Sequence, residues 1–377
     1  MVEHLLSSPD RVEEHLDPHW NRKVATALRR AYAFKEVENL GAAAVSVRHY
    51  LGHSMGAIQR LRVLFVLSLE AAESYRFKEA FDFVEEALDL SVDMNDLDSC
   101  ATLAYHGASV LHNMQQFVDA AKYYDIALDA LRSSENWDPE TQAPREFDLL
   151  VSLAIEEFSR ARFPEANEFL SAAAHLPLVS ADHQLRVARA EWTAALLARW
   201  QGDYPLALKR ALASYTTYVN LGTPIERARI SLALADVYLD FASPPGNVPS
   251  SAEYGRIADL SERPIKAALE STRASCDSAG EGLALLTYAR YLRVSRRDED
   301  ILGIITVVEH LSRRLQDLPL LGQAYTARGT ELMSRGEQNQ ALVSFRNALE
   351  VLNASQVLAQ AIWPQRALRE DEEMRER

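Results

Sequence analysis

The chain is short of most of what builds a β-rich, disulfide-tied or membrane-embedded protein. Only two cysteines occur in 377 residues, Cys100 and Cys276. They supply no disulfide framework and no zinc pattern, so the expected compartment is a reducing cytoplasm. Glycine and proline number 14 each, few for this length, which disfavours many strands joined by tight turns. No apolar run reaches the roughly 20 residues that a membrane-spanning helix needs. The best candidate, Leu61–Leu69, is interrupted by Arg62 and followed by Glu70. The opening MVEHLLSSPDRVEEHLD carries acids early and shows no signal-peptide pattern. Positive charge is scarce as well. Forty Lys and Arg face 54 Asp and Glu, a formal charge of -14. Neither nucleic acid nor a membrane is therefore an expected partner of the surface as a whole.

Motifs for small-molecule chemistry are missing too. No G-x-x-x-x-G-K-[ST] or G-x-G-x-x-G occurs, and no cofactor is expected. His49 and His53 are spaced i, i+4, but no H-E-x-x-H supplies the acid and third ligand of a catalytic zinc site. His106 and His112 are six apart and do not converge. One motif does match. Gly52-His53-Ser54-Met55-Gly56 reads G-x-S-x-G, similar to the nucleophile elbow of α/β-hydrolases. That chemistry needs a strand before the serine, an upstream glycine-rich oxyanion loop and a histidine after a later strand. The upstream residues hold one glycine, Gly41, and the last histidine, His310, lies in an amphipathic helical pattern. The alternative is a turn between helices with glycine at each end, and catalysis by Ser54 is the unfavoured reading.

What the chain has is leucine, alanine and a 48% apolar content, all favouring packed helices. The most regular stretch is Gly322–Asn353, GQAYTARGTELMSRGEQNQALVSFRNALEVLN. Small residues stand at Gly329, Ala341 and Ala348, where two helices must approach. Tyr325, Leu332 and Phe345 fill the gaps, and Gly336 breaks the pair. The same offsets recur upstream at Ala80/Val84/Ala87, Ala120/Tyr124/Ala127, Ala166/Leu170/Ala173, Ala207/Ala211/Ser214 and Asp298/Ile301/Ile305/Val308. Second-helix anchors thus fall at 80, 120, 166, 207, 301 and 341. The wide interval between 207 and 301 has room for one more pair. Its first helix is expected over Pro224–Phe241 and its second over Ala252–Ser275, kinked at Pro264 and joined through the proline-rich 243–251. A further long loop is expected over Ser133–Pro144.

This spacing resembles the tetratricopeptide repeat (TPR), in the long-hairpin form of the sensor or oligomerisation domains of bacterial regulators. The resemblance covers about Leu61–Asn353. It implies an all-α, right-handed superhelix of about seven hairpins, because one hairpin cannot bury its apolar face alone. The expected division is a helical N-terminal cap over 1–56, the repeat array over 57–354, and a C-terminal helix with a charged tail over 355–377. Within the cap, helices are expected over Asp17–Phe34 and Glu38–Leu51.

In such repeats the first helix of each hairpin lines a concave groove. The resemblance places Tyr105, Ser109, His112 and Asn113 there, then Val151, Ile155 and Phe158, then Arg189, Trp192, Arg199 and Trp200. Arg229 and Asp236, Arg290 and Arg293, and Thr326 and Thr330 follow. Residues 186–229 hold seven basic side chains against three acids, and Trp192 and Trp200 lie two turns apart. Arginine forks suit carboxylates. The middle of the groove therefore reads as a site for an acidic or carboxylate-ended peptide. The competing reading has the arginines lying over apolar surface and the tryptophans packing between hairpins. The carboxylate clamp of short co-chaperone repeats is not reproduced, Asn113 being the sole asparagine among these places. Residues 70–98 carry ten acids against Arg76 and Lys78, a docking site for a basic partner or simply a solvated face. The sequence thus points to non-catalytic recognition of a peptide or protein, regulatory or scaffolding. A standalone peptide-responsive sensor is the first alternative. A homo-oligomer is left open.

Overall fold

The computed structural model describes residues 40–52, 55–74, 76–136, 139–178, 183–242, 258–275, 277–297 and 299–354, with a few positions between 361 and 369. The expected helix over Asp17–Phe34, the loop 243–251, Ser54, Cys276 and Asp298 lie outside the described residues. Among the described residues there are fifteen α-helices, one 3-10 turn at His49–Gly52, and no strand. The helices are α1 (Leu40–Arg48), α2 (Ala57–Glu73), α3 (Phe77–Asp93), α4 (Leu97–Asn113), α5 (Phe117–Ser133), α6 (Pro139–Ser159), α7 (Phe163–Ala174) and α8 (Gln184–Trp200). They continue as α9 (Tyr204–Leu221), α10 (Pro224–Ala242), α11 (Glu262–Ala274), α12 (Ser278–Val294), α13 (Ile301–Leu315), α14 (Leu318–Ser334) and α15 (Gln338–Ala354). After α1 they fall in chain order into seven consecutive pairs, the repeat expected from the spacing.

The anchors explain why the helices pair. Ala80, Ala120, Ala166, Ala207 and Ala341 are all 0% exposed, so a small side chain sits wherever two helices come closest. At Gly329 even a methyl group is too much. A Cβ there would lie 2.6 Å from Cε1 of Phe345, whose ring fills the space the glycine leaves. The turns repeat too. Asn95, Gln115, Ala161, Gly202, Arg296, Gln316 and Gly336 each take positive φ between consecutive helices, reversing the chain in a few residues. Several following helices are capped by an aspartate accepting from a backbone N–H three residues on: Asp96, Asp203, Asp277, Asp300 and Asp317.

Two expectations about proline change. The helix α6 starts at Pro139 and keeps Pro144 inside it, so the loop after Ser133 is shorter than the sequence suggests. A proline this near the start forfeits a single ladder hydrogen bond. Pro264 does not kink a helix. It falls in the first turn of α11, where its missing N–H is one of the orphans in any case.

The chain forms two compact units. The first comprises the described residues up to Glu156, with Leu176–Leu178. In it α1 covers the first hairpin, burying Ala43, Ala44, Val47 and Tyr50 against Val63, Val66 and Leu67 of α2. Phe65, Leu61 and Leu64 turn to Ala87 of α3 and Leu103 of α4. The second unit takes the described residues from Glu157, apart from Leu176–Leu178. Its first helices α8, α10, α12 and α14 pack in succession, α8 on α10, α10 on α12 and α12 on α14, while each also packs on its own second helix. Among its described residues one core joins Ala235 and Leu239 of α10, Ile265 of α11, Tyr291 and Leu292 of α12, Ile305 and Val308 of α13 and Ala324 of α14. No described helix is long and apolar enough to cross a membrane.

Candidate functional site

Side-by-side first helices bring the ends of four elements together in the second unit. Asp236 and Asp240 are four apart on α10 and share one face. Arg199, in the last turn of α8, donates from Nε to Asp240, and its Nη1 lies 3.6 Å from Asp236 Oδ2. Arg290 on α12 reaches the same two carboxylates from the other side. Its Nη2 donates to Asp240, and its Nη1 lies 3.4 Å from Asp236 Oδ1. Two guanidinium forks thus close on two aspartates across three helices.

Asp240 is only 3% exposed. Burial by itself would raise its pKa, but Arg199 and Arg290 outweigh that and hold it below the usual carboxylate range. Burial likewise acts to neutralise Arg199, and Asp240 with Asp236 reverses the effect and holds it more basic than a free arginine. The cluster sets two guanidinium groups against two carboxylates. Their charges cancel, so this cluster offers a ligand no net positive charge. It ties α8, α10 and α12 together and is best read as part of the frame. Arg199 and Arg290, both expected to line the groove, meet on the two aspartates of α10, and each is already engaged. Asp240 was not visible in the pattern beforehand. The signal was its i, i+4 spacing from Asp236.

Arg293 differs. It lies one turn beyond Arg290 on α12 and is half-buried. Among the described residues no carboxylate oxygen lies within 4.0 Å of it. Burial, with the like charge of Arg290 beside it, lowers its pKa to about 10 against an upward pull from Glu331 of α14. Glu331 is itself committed, its Oε1 accepting from Arg335 Nε at 2.7 Å. Its Oε2 is sealed from solvent without a hydrogen bond.

The tryptophans divide. Trp192 packs against Ala188, Tyr218, Ile230 and Ala233 in the seam between α8, α9 and α10, and its Nε1 is sealed without a hydrogen-bond partner. Trp200, at the end of α8, meets Phe158 edge-on at 6.2 Å. Arg189 is half-buried and near enough to Tyr218 to lower its pKa slightly against the effect of burial. Arg229 is exposed at the side of α10. The basic excess of 186–229 is spread over both kinds of helix: Arg210, on the second helix α9, pairs with Glu191 at 3.1 Å.

In the first unit, His112 Nδ1 lies 2.7 Å from Glu156 Oε1, and the Glu156 side chain is 1% exposed. The imidazole meets Phe117 edge-on at 5.3 Å. Asn113 turns back on its own helix, donating to the Ser109 carbonyl at 2.8 Å. Tyr105 packs edge-on against Tyr124 at 5.6 Å. Several acids of 70–98 are also used internally. Glu70 and Glu79 pair with Arg76, Glu86 pairs with Arg60, and buried Asp98 accepts from Ser134 and Asn136. Among the described residues no group of His, Cys, Asp and Glu is arranged to hold a metal ion.

No protein-family model matches the sequence, and no curated protein matches it significantly. Solved structures do match in fold. The apo quorum sensor NprR from B. thuringiensis superposes with a TM-score of 0.67 at 14% identity, covering 93% of this chain and 97% of that one. The Rap conjugation gene regulator of the plasmid pLS20, solved with the Phr* peptide, gives 0.63 at 13% identity, covering 96% and 97%. Aspartyl phosphate phosphatase F from Bacillus subtilis gives 0.61 at 12% identity, covering 93% and 87%. The fold is that of the TPR-like helical-repeat sensor proteins.

Proposed function

We propose that the chain is a non-catalytic, peptide-responsive regulatory module that holds a peptide or protein segment on its first helices. The observation that carries this reading is the fold shared over nearly the full length of both chains with the Rap conjugation gene regulator, whose structure holds a peptide. The second unit supports it with a rigid inner frame, the neutral cluster of Arg199, Asp236, Asp240 and Arg290, beside further polar and aromatic groups. A peptide bound on adjacent first helices would bias their spacing, which is how a repeat protein turns binding into a signal.

The test is recovery of the ligand. The full chain, purified from its native host, is denatured in acid and the released small molecules are analysed by mass spectrometry. A recurrent short peptide that rebinds the refolded chain is the expected result. Scattering that changes when that peptide is added separates a sensor from a static scaffold. No retained peptide, together with ester hydrolysis that disappears in Ser54→Ala, would instead make the chain an enzyme.

A further inference from the structure

We propose that Arg293 is the residue that receives a carboxylate of the bound peptide, and that Arg199 and Arg290 are not. This deepens the peptide-binding reading and rests on it. Five arginines lie at the places the repeat pattern turns inward in the second unit: Arg189, Arg199, Arg229, Arg290 and Arg293. They sort by what already occupies them. Arg199 and Arg290 spend their forks on Asp236 and Asp240, a two-against-two set that is complete. Freeing either would strand a buried aspartate. Arg229 is exposed, where water screens any carboxylate it meets. Arg189 sits half-buried beside Tyr218 and already has an interaction of its own.

Arg293 alone combines partial burial with the lack of a paired carboxylate among the described residues. Its neighbours sharpen the point. Arg290, three residues earlier, adds like charge, and the nearby Glu331 is bonded by Arg335. A desolvated guanidinium beside another cation is costly unless an anion arrives. A planar carboxylate, accepting from both arms of the fork, satisfies it. Two sources share this chemistry, an Asp or Glu side chain and a free C-terminus.

The experiment uses four pools of randomised heptapeptides. They have either a free or an amidated C-terminus, and each form is made with and without Asp and Glu. Pools are passed over the immobilised full chain, and the retained peptides are quantified by mass spectrometry. Wild type is expected to enrich peptides that carry a carboxylate about tenfold to hundredfold over those that carry none. Loss of enrichment on amidation assigns the C-terminus; loss on omission of the acids assigns a side chain. Arg293→Gln should abolish the preference while still retaining peptides. Arg293→Lys, which keeps the charge without the fork and preserves volume if Gln disturbs folding, should leave a reduced preference. Arg229→Gln should match wild type. Peptides retained with no preference for carboxylate, or a preference unchanged in both Arg293 variants, would overturn the assignment and leave peptide binding standing. Wild type that retains no pool would overturn both.

Discussion

Up to Glu156, the first helices carry a histidine–carboxylate contact near their ends, His112 with Glu156, and a second histidine, His106, sunk in apolar packing. From Glu157 on, the comparable ends carry two arginines and two aspartates locked across three helices. Both units are built from the same hairpin. They differ in how they treat a titratable group that has left water. The first keeps His106 neutral: burial drives its pKa down to about 4, against a weaker pull upward from a hydrogen bond to the Ser68 backbone. The second keeps Arg199 and Asp240 charged by supplying opposite charge at close range. The contrast teaches that a repeat scaffold tolerates buried titratable residues on its first helices by either route.

The largest expected effect breaks the charged side of this comparison. Asp240→Ala leaves two desolvated guanidinium groups facing Asp236 alone. It should destabilise the second unit by about 3–5 kcal/mol in denaturant titration. Adding Arg199→Met and Arg290→Met should restore most of that. A single substitution costing under about 1 kcal/mol would mean the cluster does not hold the helices together.

The next effect sharpens the contrast through pH. The unfolded chain protonates His106 below its ordinary 6.5, whereas the folded chain resists until about 4. Stability contributed by the neutral histidine is therefore lost as pH falls from 6.5 to 4, by roughly 2–3 kcal/mol. Asp240, held below the usual carboxylate range, keeps its contribution across that window. Hydrogen exchange should then show the first unit loosening before the second. A His106→Phe variant should flatten the first unit's response, and an unchanged slope would rule out this histidine as the cause.

Packing gives a smaller difference. A Cβ on Gly329 would stand 2.6 Å from the buried Phe345 ring, but one on Gly107 would stand 3.0 Å from Val84 and Tyr123. Gly329→Ala should cost about 1–2 kcal/mol, because overpacking exceeds the gain in helix propensity. Gly107→Ala should stay within about 0.5 kcal/mol of wild type, the two terms nearly cancelling. Thermal melts that rank them the other way would mean the α14–α15 seam can give. Least of all, Arg229→Gln should leave stability within about 0.5 kcal/mol.

The helical pairs were legible because their signal is local. Small residues at 80, 120, 166 and 207 recur every 40 to 46 residues, and again at 341, and close helix approach demands them whatever the neighbours are. Proline was read less well. Pro144 and Pro264 looked like a loop end and a kink, but helix starts fell within a few residues of them. At the site, Arg199, Arg290 and Arg293 were named together because repeat position is all the sequence exposes. Their pairing state was hidden. Asp240 sits 41 residues from Arg199 and 50 from Arg290, and no local pattern announces a contact at such separations. Trp192 and Trp200 share a helix and a spacing, yet one fills a three-helix seam and the other meets Phe158.

By itself, then, the order of residues determined an all-helical repeat, its period and the small residues at its seams, since these follow from sterics within about forty positions. Which buried cations meet an opposite charge was decided only when non-adjacent helices came side by side. Coulomb energy depends on distances of a few ångströms in a medium that excludes water, and the chain alone specifies neither.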